Sequence, residues 1–99
     1  MTLKARDVKK ALKTKGFREE KRDHLFYFFQ HEGLLTPIHT KISHAETDLH
    51  NAQCSQMSRQ MKLTARQFEN FVDCALTAQN YVDILVRAGH LTSLAADSN

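Results

Sequence analysis

The chain has 99 residues, 41% hydrophobic and 25% charged, with 3 Gly, 1 Pro and no Trp. That is the size and make-up of one globular domain with a single core. No apolar run reaches the ~20 residues that cross a bilayer. The basic start, MTLKARDVKKALKTK, lacks the apolar stretch of a secretory signal, so the expected location is the cytoplasm, with no membrane partner. Cys54 and Cys74 fall in helical patterns and make no disulfide framework, which fits a reducing compartment.

Net charge is +3 and uneven. Residues 1–22 hold nine Lys and Arg against three acids, giving +6, and residues 23–99 hold five against eight, giving −3. A basic N-terminal region of this kind suits nucleic acid. The plainer reading is that lysines solvate the outer face of a short helix, and charge alone does not separate the two.

In chain order, residues 5–15 are predicted as an amphipathic helix, with Ala5, Val8, Ala11 and Leu12 on one stripe and Gly16 as its stop. A short strand follows over 17–21. Residues 24–30 are aromatic and β-prone, with Leu25, Tyr27 and Phe29 on one face and His24, Phe26 and Phe28 on the other, as in a central strand. His31-Glu32-Gly33 is the turn. Residues 34–43 return, with Ile38 and Ile42 alternating against His39 and Lys41, and Pro37 places this strand at the sheet edge.

Ser43 to Glu46 has capping-box spacing, so the next helix is expected from about residue 45 or 48 to 62, with Leu49, Ala52, Met57 and Met61 inward. Thr64 to Gln67 is a second capping box, opening a helix with Phe68, Phe71, Val72 and Ala75 on one stripe. Thr77 caps a last helix carrying Tyr81, Ile84, Leu85 and Ala88, stopped by Gly89, and the tail from Ser93 is expected to fray. The fold class is therefore α+β: an α-β-β-β-α core over 1–62 with a three-stranded antiparallel sheet, a helical hairpin over 63–92 packed on it, and a tail at 93–99. The first and third helices are expected to cover the sheet.

Lys15-Gly16-Phe17, Asp23-His24-Leu25-Phe26-Tyr27 leading to Glu32-Gly33, and Lys41-Ile42-Ser43-His44 together resemble the HicA (YcfA-like) family over roughly residues 5–60. Its members are small toxins of bacterial toxin–antitoxin pairs, with a double-stranded-RNA-binding-like fold and ribosome-independent mRNA endonuclease activity. The resemblance maps the family's catalytic histidine, at the start of the second strand, onto His24, and its second frequent histidine onto His44. Two features depart from the pattern. Arg22-Asp23 stands where the family has glycine or serine, and the helices between Thr64 and Gly89 extend past its minimal length.

Metal-free RNA cleavage needs a base for the 2′-OH proton and an acid for the leaving 5′-oxygen, and histidine serves both near neutral pH. The expected catalytic set is His24 as general base or acid, with Lys41 and His44 assisting and no cofactor; a nearby cation such as Lys41 stabilises the charged phosphorane. Lys9, Lys10, Lys13, Lys21 and Arg22 are the expected RNA contacts. Phe26, Tyr27 and Phe28 are candidates for base stacking or for core. His50 and Cys54, at i and i+4, have the spacing of a ligand pair, but no further Cys or His falls at a matching short spacing, and no metal site is assigned. Partners implied are mRNA, a cognate antitoxin protein and, left open, a second copy of the chain. The alternative is a catalytically silent nucleic-acid-binding or protein-interaction module of the same fold.

Overall fold

A computed structural model of the chain describes residues 1–91. The order is β1 (Leu3–Lys4), α1 (Ala5–Thr14), β2 (Phe17–Lys21), β3 (Leu25–His31), β4 (Leu34–Ile42), β5 (Asp48–Leu49), α2 (Asn51–Gln60), α3 (Ala65–Val72) and α4 (Ala78–Arg87). The main sheet is antiparallel in the order β2-β3-β4, and β1 pairs with β5 as a separate two-residue ribbon. This is a small α+β domain. The predicted tail from Ser93 lies outside the described residues, as does the last residue of the expected hairpin.

Amphipathicity settles α1: Ala5, Val8, Ala11 and Leu12 are buried. Beyond it Gly16 takes φ +105°, and a Cβ there would lie 3.2 Å from the Phe29 ring, so the turn into β2 needs glycine for both conformation and room. β3 is central, as its apolar character on both faces predicts, with Leu25, Tyr27 and Phe29 buried. Glu32 and Gly33, at φ 55° and 79°, form the two-residue turn of positive φ that matches the twist of a hairpin. Leu34 opposes His31 and Phe28 opposes His39, with a register shift between them opposite Phe29. Pro37 sits in this irregular stretch of an edge strand, one of the few sheet positions where a missing N–H costs no ladder bond.

The core joins sheet and helices. Phe17 lies 5.1 Å from Phe29 between ring centroids, Tyr81 of α4 meets Phe29 at 5.1 Å, and Phe71 of α3 meets Tyr81 at 5.3 Å. Burying each such ring contributes about 1.5–3 kcal/mol. Met57 and Met61 are buried with them as core. α1 packs on β2, and α2 packs on β4. The second helix, rather than the third, thus joins α1 in covering this one face of the sheet, at its β4 edge. α3 lies over α1 and α2 and reaches the sheet through Phe71, whose ring meets Phe17 edge-on at 6.1 Å.

Lys15, buried at the end of α1, donates from Nζ to the carbonyl of Phe71 and, at 2.7 Å, to that of Leu76, with the ammonium 4.8 Å from the Phe71 ring centroid. It thereby caps the C-terminal end of α3, where carbonyls lack helical partners and a cation meets the negative end of the dipole. Thr64 and Thr77 cap α3 and α4 as predicted, each in a full capping box.

Four local expectations are corrected. Ser43 to Glu46 makes a turn instead of a helix cap, the Glu46 N–H donating to the Ser43 carbonyl. The helix begins at Asn51, because pairing of Asp48–Leu49 with Leu3–Lys4 holds that stretch extended; His50 is its cap, with Gln53 reaching back. Ala52 and Ala75 are exposed, the later helix start rotating the inward stripe onto Cys54, Met57 and Ser58 and the earlier end at Val72 leaving Ala75 outside the helix. Cys74 lies past the end of α3 at φ 74°, exposed, outside any helix.

Candidate functional site

A cleft of about 170 Å³ opens where the start of β3 and the end of β4 meet α2. His24 and Lys41, seventeen positions apart in sequence, both line it. Its floor is Ile42, Leu49 and Met57, and its polar wall is Glu46 with Gln53, Gln56 and Gln60. Local folding explains each position. His24 is the residue just before β3, half-buried where the strand leaves the tight turn closed by the Arg22 N–H donating to the His24 carbonyl at 2.9 Å. Lys41 is exposed on β4 and pairs with Phe26, so β3 and β4 deliver the two groups to one end of the sheet.

The wall is tied to its surroundings by hydrogen bonds. Gln53 donates from Nε2 to Glu46 Oε2 at 2.7 Å, and the buried Thr40 hydroxyl donates to Gln60 Oε1 at 2.6 Å, pinning α2 to β4. These groups hold their partners before any ligand arrives, a preorganised polar surface in the cleft that His24 and Lys41 also line.

Asp23, which stands where the resembled pattern has glycine or serine, is engaged with the local backbone. Asp23 Oδ1 accepts from the backbone N–H of His24 at 3.0 Å, so it shapes the turn. His44 stands outside the cleft lining. Its Nε2–H donates to the Arg22 carbonyl at 2.8 Å, bracing the same turn from the loop that follows β4. Of the three expected catalytic residues, two line one cleft and the third positions the backbone that carries His24.

The expected RNA contacts are spread around the molecule. Lys9 borders a second groove, with Thr47 and Asp48, that shares Glu46 with the His24 cleft. Lys10 faces the opposite side, toward Val72 and Cys74, and Lys13 reaches Glu19 at 4.0 Å. Lys21 is exposed at the end of β2. Arg22 lies on the outer face of the sheet, its guanidinium carbon 5.4 and 5.6 Å from the Phe26 and Phe28 ring centroids.

Tyr27, expected as either stacking group or core, is core. Its hydroxyl donates to Glu19 Oε2 at 2.6 Å, burial and then that carboxylate raise its pKa, and the bond from Tyr27 lowers that of Glu19. The His50–Cys54 pair is divided between separate roles. His50 caps α2, and the Cys54 thiol points at the Leu49 carbonyl at 3.4 Å, burial above all raising its pKa and keeping it protonated. From sequence Glu46 reads only as part of a helix cap, and Gln53, Gln56 and Gln60 are not singled out. A helix with three glutamines at 53, 56 and 60, spaced to share one face, was the available signal.

Comparison of the chain with protein-family models, with curated proteins and with solved structures found no match.

Proposed function

We propose that the chain is a metal-independent RNA endonuclease of the HicA-like, mRNA-interferase kind, built on a double-stranded-RNA-binding-like α-β-β-β-α core. The observation that carries this reading is the convergence of His24 and Lys41 on one cleft from different strands. An imidazole and an ammonium with a polar wall are the groups that transesterification of a phosphodiester needs. His24 takes the 2′-OH proton as that oxygen bonds to phosphorus. The P–O5′ bond breaks, and the imidazolium returns a proton to the departing oxygen. Lys41 offsets the charge of the phosphorane, and His44 holds the turn that aims His24. The products are a 2′,3′-cyclic phosphate and a 5′-hydroxyl.

The test is cleavage of a long single-stranded RNA in EDTA. Wild type is expected to cut and leave cyclic phosphate ends, with His24→Ala slower by about 10²- to 10⁴-fold while its far-UV spectrum is unchanged. Lys41→Gln should fall less, since solvent cations replace part of its charge. Equal cutting by wild type and His24→Ala sinks the mechanism. Salt-dependent RNA binding with no cutting by either protein supports the silent module instead.

A further inference from the structure

The sheet has a second face, opposite α1 and α2, and its residues are not those a solvated surface requires. Cross-strand partners share a face. Phe28 stands between Arg18 and His39, and Phe26 between Glu20 and Lys41. Neither Phe26 nor Phe28 belongs to the hydrophobic core, and both remain partly exposed. Their rings are nearly parallel, 15° apart with centroids 6.1 Å apart. The row continues to His39, 5.5 Å from Phe28 at 29°, and to His24, 6.4 Å from Phe26. The row of rings thus ends at the residue that lines the cleft.

The charges on this face are as informative as the rings. Arg18, Arg22 and Lys41 are cationic, and Glu20 is bonded to both arginines, which holds Arg22 over the two phenylalanines. Flat π surfaces interleaved with cations match a strand whose bases are free to stack and whose phosphates are negative. A duplex offers no such bases, since its own are stacked inside. The exposed aliphatic residues, Leu34 and Leu35, lie apart from this face at the hairpin tip, so the face itself is built of rings and cations.

We propose that this outer face is a base-stacking platform for single-stranded RNA. Phe26, Phe28 and His39 hold bases, Arg22 and Lys41 meet phosphates, and the strand runs to His24. The inference rests on the RNA reading above and names its substrate as unpaired RNA, taken with little sequence preference because every base has a stacking face.

The test uses a fluorescein-labelled 2′-O-methyl RNA 12-mer, which cannot be cut, as a single strand and as a duplex, at about 50 mM salt where phosphate contacts are strong. Wild type is expected to bind the single strand more tightly than the duplex. Phe28→Ala should weaken single-strand binding between about 5- and 150-fold, the loss of one stacked base. Because truncating Phe28 risks the sheet, Phe28→Trp supplies a second readout. The natural chain has no Trp, so the single indole emission should be quenched on adding single strand and unchanged with duplex. Equal or tighter duplex binding, an indole indifferent to bound single strand, or no single-strand binding by wild type each overturns the platform. The arms separate the two ideas. Cleavage by wild type without Phe28-dependent binding removes the platform and leaves the nuclease; Phe28-dependent binding with no cleavage leaves the platform and removes the nuclease.

Discussion

Replacing Lys15 by methionine asks whether the C-terminal helices belong to the same cooperative unit as the sheet. Methionine keeps the length and apolar stem of the side chain and removes the ammonium. The carbonyls of Phe71 and Leu76 then lose their donor in a site where Lys15 is only 8% exposed. Leaving a buried carbonyl unpaired costs roughly 1–3 kcal/mol, so two cost about 2–6. Against this, the variant no longer buries a charge, which returns part of that loss. The net expectation is a destabilisation of about 2–4 kcal/mol, a large share of the 5–15 kcal/mol typical of a domain. For a chain of this size each kcal/mol moves the melting temperature by roughly 4–8 °C. Urea unfolding followed by circular dichroism should show a lower midpoint with an unchanged slope, the mark of altered stability in an intact cooperative unit. Amide exchange should quicken most in α3 and at the start of α4, where the cap is lost. A midpoint equal to or above wild type would mean that desolvating the ammonium cancels its two bonds, and the capping account would fail.

Two further predictions concern pH. Glu19 is held below its ordinary value of 4.5, first by the Tyr27 hydroxyl and then, against the opposing effect of burial, by Lys13 and neighbouring lysines. A depressed carboxylate contributes stability above its unfolded pKa and loses it as pH falls through the folded one. Tyr27→Phe should therefore flatten the fall in stability below about pH 4.5, measured as urea midpoint against pH; an unchanged slope would show that the bond does not govern Glu19. At the alkaline end, burial raises both tyrosines of the chain above their ordinary 10.0, Tyr27 also through Glu19, and Tyr81 donates to the Met61 carbonyl at 2.8 Å. Stability carried by a raised group is full below its unfolded pKa and lost above it. Absorbance near 295 nm should thus show no phenolate around pH 10 while the chain is folded, and its appearance should coincide with the loss of the circular dichroism signal. Phenolate rising ahead of unfolding would contradict the burial of these rings.

The parts of the fold legible in the sequence were those decided locally. α1, the hairpin of β3 and β4, and the caps at Thr64 and Thr77 follow from periodicity, a glycine turn and side chains that bond their own backbone. The start of α2 was illegible because a distant segment decides it: Leu3–Lys4 pairs with Asp48–Leu49, and no pattern within residues 43–50 announces that partner. Lys15 reads as one more basic residue at the end of a basic helix. Only the fold brings two carbonyls, 56 and 61 positions away, to its ammonium. In the site, a strand-start histidine and a strand lysine were visible as candidates, whereas the wall of Glu46 and the three glutamines required knowing which face of α2 looks at β4. His44 was named for its sequence neighbourhood, and its bond to Arg22 is a contact between two loops that spacing does not encode.

The irregular stretch at Pro37 also bears on how copies of this chain behave toward one another. A terminal strand ordinarily offers a row of unsatisfied amides on which a foreign strand can nucleate, the route to stacked aggregates. Here Pro37 has no amide to offer, and that of Ile38 is already spent on the Thr36 hydroxyl at 3.2 Å, which in turn donates to the Phe29 carbonyl at 3.0 Å. The middle of the rim is thereby closed to recruitment. A chain with two leucines bare at a hairpin tip and aromatics on an open sheet face carries two adhesive surfaces, and the interrupted edge keeps either from being extended into an endless ladder.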